Sequence, residues 1–400
     1  MLLRASLWTS AFRPFCALGA AYGVALMTLW LVARTGWAAL PYGAQPGPLW
    51  HGHEMLFGFA AAIICATVLT ALPGWAGTPE VRGAPLAVLV ALWLAGRAAF
   101  WARGALPPSV AIAVGSALYV ALLAVVAPQL ARVANRYYLL LLVVLVGMLA
   151  GEALFLTGRE RSGFMLALYS VVLLFALKGG VFTPVFTGNY LRTTGRGGQA
   201  RFLLPLEYLA VGAIVALAAV ELAGAPRPWR GAVALAAFTL HAVRLARWQG
   251  WKTLGAPLLW TMHVGYAWMV VAFLLLALGD LGSVAAEHAW LHAFTVGALG
   301  SMMLGLMTRM SLRHTGRPLV APPAMVAAYL LVQASALLRM GAVGAAAGES
   351  WIIFAGIAWI AAFAIFLACF GAILVSPSLP RRLVSPLALD SRPPGRDGAD

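Results

Sequence analysis

Charge is what this chain has least of. Only 10% of its 400 residues are charged, and 12 Asp and Glu face 27 Lys and Arg. That is too little polar surface for a soluble globule of this length, which excludes the soluble enzyme classes. Cysteine is almost absent. Cys16, Cys65 and Cys369 each fall inside a separate apolar stretch, which excludes a disulfide framework and a thiolate zinc site. No repeat relates the two halves of the chain, so the symmetry common in transporters has no support here.

What is present is apolar: 62% of residues are hydrophobic and the mean hydropathy is +0.90. A helix needs roughly 20 apolar residues to cross a hydrocarbon core. Arg-, Pro- and Gly-rich punctuation cuts residues 1–375 into twelve such stretches, the first from Arg13 to Arg34 and the last from Trp351 to Val375. The sequence therefore predicts an all-α polytopic membrane bundle forming one transmembrane domain over 1–375, with a disordered tail over 376–400. Roughly two thirds of the basic residues fall on the side shared by both termini, which predicts cytoplasmic termini. The net charge of +15 is then a topology signal with anionic lipid headgroups as counterions. No basic patch with interleaved aromatics points to nucleic acid.

The seven histidines carry the chemistry, because intramembrane ionisable groups are functional by default. His51 and His53 open the second span and His288 and His292 the tenth, all at the extracytoplasmic level. The His288/His292 spacing stacks two rings on one helix face. Four imidazoles from two segments suit a copper with three histidines beside a haem iron that takes the fourth, or two separate metals. His241 and His263 lie on an antiparallel hairpin, each roughly 10 to 12 Å from its cytoplasmic end. Bis-imidazole ligation of haem b fits that pair, with Arg244 placed for a propionate. The bland reading of either ring alone is a hydrogen-bonded or interfacial histidine. No Cys-x-x-Cys-His string occurs, so covalent c-type attachment is excluded.

Protons need carriers too. Glu54 adjoins His53 and lies inside the span, where it can orient a ring or move protons; Glu152, toward the outer side, is the second candidate. Glu287 reads as an exposed carboxylate at a helix start. Lys178 and Glu207 form either a structural ion pair or part of a proton path. Met302, Met303, Met307 and Met310 read as packing.

Several uncommon strings occur together and in order: Ala11-Phe12-Arg13-Pro14-Phe15, Leu49-Trp50-His51-Gly52-His53-Glu54-Met55-Leu56-Phe57-Gly58-Phe59, His263-Val264-Gly265-Tyr266-Ala267-Trp268, and the run from His292-Ala293-Phe294-Thr295 through Met307-Thr308-Arg309 to His314-Thr315-Gly316-Arg317. Over nearly its whole length the chain resembles the NnrS family. The resemblance implies a multi-pass protein of the bacterial inner membrane that contains haem and copper and is associated with denitrification and resistance to nitric oxide. The expected function is a haem-copper oxidoreductase that reduces or consumes nitric oxide, with quinol or an external redox protein as electron donor. The alternatives are a non-enzymatic haem-copper protein that binds nitric oxide, and a twelve-helix transporter needing no metal.

Overall fold

Twelve helical rods run back and forth across one bundle in the computed structural model, which describes residues 6–37, 47–133, 135–282, 289–343 and 348–380. Among the described residues all regular structure is helical. The rods are α1 (Phe12–Arg34), α2 (Pro48–Ala76), α3 (Ala84–Trp101), α4 (Pro108–Leu130), α5 (Tyr137–Leu156), α6 (Glu160–Thr193), α7 (Leu204–Leu222), α8 (Arg227–Arg247), α9 (Pro257–Leu281), α10 (Ala289–His314), α11 (Pro323–Gly341) and α12 (Gly348–Val375). Eleven are long and apolar enough to cross a membrane; α8 is the exception.

Charge explains why α8 falls short by composition and still belongs in the bundle. Its 21 residues rise about 32 Å, enough to cross, and Arg230 and Arg244, toward its two ends, sit beside acids of neighbouring helices. At one end Arg230 grips Asp280 of α9 through two bonds of 2.6 and 2.7 Å and also pairs with Glu221 of α7. At the other, Arg244 pairs with Glu207 of α7. Each guanidinium is thereby neutralised where burial would otherwise penalise it.

The two ends of the bundle chain meet. Arg13, buried at the start of α1, donates to the carbonyls of Leu374 at 2.8 Å and Ser376 at 2.7 Å and to Ser378 Oγ at 2.8 Å. It thus satisfies carbonyls that a helix end leaves unpaired. The start of α1 and the end of α12 therefore share one face of the bundle, as an even number of crossings requires. Ser376–Pro380 folds back, with Leu379 N donating to Thr315 O at 2.9 Å; the rest of the predicted disordered tail, 381–400, lies outside the described residues.

Small residues set the closest approaches, since apolar helices in lipid associate by packing rather than by escape from water. A Cβ on Gly163 would stand 2.4 Å from the backbone nitrogen of Phe155, so α5 and α6 touch through backbone. Both α2 and α10 carry a widened π-helical segment, Glu54–Ala60 and Ala293–Gly300. Such segments are rare and concentrate at functional sites. Each begins within three residues of a candidate histidine, His51 and His53 on α2 and His292 on α10.

Candidate functional site

Between the two π segments lies a cavity of about 310 Å³, within the range of small-ligand and cofactor pockets. His51 of α2 and His292 of α10 both line it, with Met27 and Trp30 of α1, Met55 and Arg339 around them. The His51 ring stacks on Trp30 with centroids 4.6 Å apart. Its Nδ1 is buried and has no hydrogen-bond partner, an arrangement that leaves a lone pair or a proton without use. Glycines in the two π segments allow close packing against neighbouring helices: a Cβ on Gly58 would come within 2.4 Å of the Tyr22 ring, and one on Gly297 within 2.5 Å of Trp268. The widened turn at Gly58 also turns its carbonyl toward Trp93, whose indole N–H donates at 3.0 Å.

The other predicted residues divide. His53, expected among the metal ligands, faces away from the cavity, because successive residues of a helix point to different sides. Its Nδ1 lies 3.0 Å from Glu54 Oε1 and its Nε2 2.9 Å from Glu152 Oε2, so both ring nitrogens are taken by carboxylates. Phe100 stacks on the ring at 3.6 Å. His288 and Glu287 lie outside the described residues. Among the described residues no group of three or more His, Cys, Asp or Glu is placed to hold a metal ion, and the pair His51 and His292 is what the structure gathers at the cavity.

Glu54 and Glu152, the two carboxylates singled out for proton chemistry, are brought together although 98 residues separate them. Both are fully buried. Arg97 of α3 reaches Glu54 Oε1 at 2.5 Å and Glu152 Oε1 at 3.3 Å, while Tyr22 and the Trp101 indole donate to Glu54 Oε2. A neutral imidazole has one N–H. With a carboxylate at each ring nitrogen, a further proton must reside on the ring or on a carboxyl, so the cluster holds an exchangeable proton. Arg97, Tyr22 and Trp101 escaped the sequence reading. For Arg97 the signal was present, a guanidinium within an apolar span, one turn from its end at Trp101.

The structure does not bring the rings of His241 and His263 together. His241 Nδ1 is 2.7 Å from Tyr266 Oη and its Nε2 3.2 Å from the Ala210 carbonyl. His263 Nε2 is 2.8 Å from Thr187 Oγ1, and its other edge is packed so closely that a Cβ on Gly250 would lie 2.6 Å from Nδ1. Ring contacts run from His263 to Trp248, then Tyr266, then His241. Both nitrogens of His241 are hydrogen-bonded, and His263 Nδ1, buried without a partner, lies against Gly250 with Trp248 and Tyr266 between the two rings, so the pair as arranged does not fit bis-imidazole haem. Arg244, expected at a propionate, instead joins Glu207, Tyr266 and the Ala176 carbonyl. Glu207 is thereby taken, and Lys178 is not its partner. The Lys178 ammonium lies over the rings of Trp75 and Tyr138.

Fold and site together define a polytopic helical membrane protein with a histidine-lined intramembrane cavity and a buried acid–imidazole cluster beside it. The family model described as NnrS protein matches residues 6–378, and the chain belongs to that family. Membership fits a membrane protein of the nitric oxide response. Comparison with curated proteins gives no match.

Proposed function

We propose that this chain is a haem-copper protein of the bacterial inner membrane, with cytoplasmic termini, that binds and reduces nitric oxide at the cavity between His51 and His292. The observation that carries the reading is the orphaned Nδ1 of His51 beside a cavity that His292 also lines. An imidazole that lines a cofactor-sized space and keeps one nitrogen unused by the protein is the kind of donor a haem iron or copper takes. The metals would supply electron transfer and a binding position for nitrogen, and residues 51 and 292 would hold them.

Reduction of two NO to N₂O and water consumes two electrons and two protons. The chain's own part is the protons. Glu54, His53 and Glu152 store one in a site closed to water, and His53 and Glu54 continue the strand of backbone that carries His51. Arg97 keeps the two carboxylates from repelling one another. The cavity wall is largely apolar, which suits an uncharged diatomic ligand. Quinol or an external redox protein would supply the electrons.

A second reading, nitric oxide binding without turnover, draws on the completeness of the His53 hydrogen bonds, which also suits a purely structural cluster. The experiment measures the Soret band, copper content and anaerobic N₂O production of purified protein. His51→Ala and His292→Ala are expected to lose metal, and Glu54→Gln to keep metal but lose N₂O. Unchanged metal content in both histidine variants ends the proposal. Metal-replete, reduced protein that yields no N₂O leaves the binding reading.

A further inference from the structure

The cavity between His51 and His292 carries charge of one sign. Two guanidiniums line it, those of Arg34 and Arg339, and among the described residues no carboxylate does. Arg34 is answered by Glu349, which accepts from its Nε at 2.9 Å and its Nη2 at 2.7 Å. Arg339 is not. Among the described residues it donates to no acceptor and pairs with no acid, and the neighbouring charge is the like one of Arg34. A guanidinium holds five N–H donors and stays protonated. Half-buried on a largely apolar wall, it calls for an anion from the ligand.

Position decides which end of a ligand meets that cation. Arg34 closes α1, Pro48 opens α2, Arg339 lies two residues before the end of α11 and Glu349 is second in α12. All four mark the face of the bundle opposite the chain termini. Farther in, the lining turns aromatic: Trp359, roughly 16 Å of helix rise from the start of α12, meets Phe59 edge to face with centroids 5.3 Å apart. Since one enclosed water needs roughly 10–15 Å³, the cavity admits on the order of twenty waters. That is the bulk of a molecule of a few dozen non-hydrogen atoms. The ligand so described has a large apolar body and a carboxylate on one edge, and haem b, a flat ring with two propionates on one side, is such a molecule.

We propose that Arg339 receives a propionate of the haem in this cavity, which sets the charged edge of the ring toward the face opposite the termini and its apolar edge toward Phe59 and Trp359. The proposal rests on the functional reading above for the haem itself and adds which way round it sits. Arg339 thereby takes the part that the sequence suggested for Arg244, whose donors go to Glu207, Tyr266 and the Ala176 carbonyl. A carboxylate accepting from a guanidinium makes a charge-assisted bond, stronger than one between neutral groups.

The test uses the intact protein, produced in haem-deficient cells and loaded with haem b or with its dimethyl ester, which keeps the ring and has no carboxylate. Loss of the pigment to excess apomyoglobin is followed at the Soret band. Wild type is expected to release the ester about tenfold or more faster than haem, as loss of one charge-assisted hydrogen bond implies. Arg339→Gln should release both at one fast rate, and Arg339→Lys, which keeps a donor and its charge, should hold haem longer than Arg339→Gln does. Equal release of haem and ester by wild type overturns the proposal and leaves the haem reading standing, as does an ester penalty undiminished in folded Arg339→Gln. Protein that takes up no haem overturns both, and uptake of oleate in its place assigns the site to a fatty acid. The comparison of the two pigments in wild type needs no substitution, so it decides the matter whether or not the variants fold.

Discussion

Replacing Arg97 with alanine tests whether the buried cluster is held by charge. In the native arrangement one guanidinium faces two carboxylates, at 2.5 Å and 3.3 Å, and one imidazole bridges them at 3.0 and 2.9 Å. All four groups are buried. Arg97→Ala leaves Glu54 and Glu152 bridged by His53 without the guanidinium that faced them both, and breaking a buried pair from one side costs about 3–5 kcal/mol. The folded-to-unfolded ratio should therefore fall roughly a hundred- to a few-thousand-fold. Glu54→Gln in the same background removes the carboxylate that lost its nearest partner and should restore part of the loss, a coupling of about 0.5–3 kcal/mol. The assay is reversible unfolding in mixed micelles followed by far-ultraviolet circular dichroism, with wild type, both single variants and the double variant forming a cycle. If the two substitutions add within about 0.5 kcal/mol, the charges are not coupled and the proton-holding role argued for the cluster fails with them.

Gly58→Ala and Gly297→Ala should each destabilise by about 1–3 kcal/mol through overpacking, because their new methyl groups meet Tyr22 and Trp268 at 2.4 and 2.5 Å. Gly212→Ala, with nothing within 4 Å, should be neutral or slightly stabilising, and equal midpoints for all three would refute the packing argument. Arg230→Lys should not recover the stability that Arg230→Ala loses, since an ammonium cannot reproduce the paired contact with Asp280. Thermal midpoints of the two variants that coincide with wild type would show the contact to be dispensable.

Composition and spacing by themselves determined that this chain folds as an all-helical bundle of apolar rods. Backbone groups in hydrocarbon must be satisfied within the segment, so length and hydropathy leave little else possible. They also pointed to His51, His292, Glu54 and Glu152 as chemically marked, because an ionisable side chain in an apolar span stands out whatever its neighbours. Tertiary structure alone decided which of these groups meet. His51 and His53 are two residues apart in sequence yet serve different chambers, since a helix turns adjacent residues to different sides. His241 and His263, expected to come level, do not: His241 meets Tyr266 and Phe273 while His263 meets Trp248, so Trp248 and Tyr266 lie between the two rings and the register of the hairpin, which residue counting does not fix, keeps them apart. The pairing of Arg244 with Glu207, which leaves Lys178 to the rings of Trp75 and Tyr138, likewise depends on how the helices are turned toward one another, and that is set by the packing of every side chain between them.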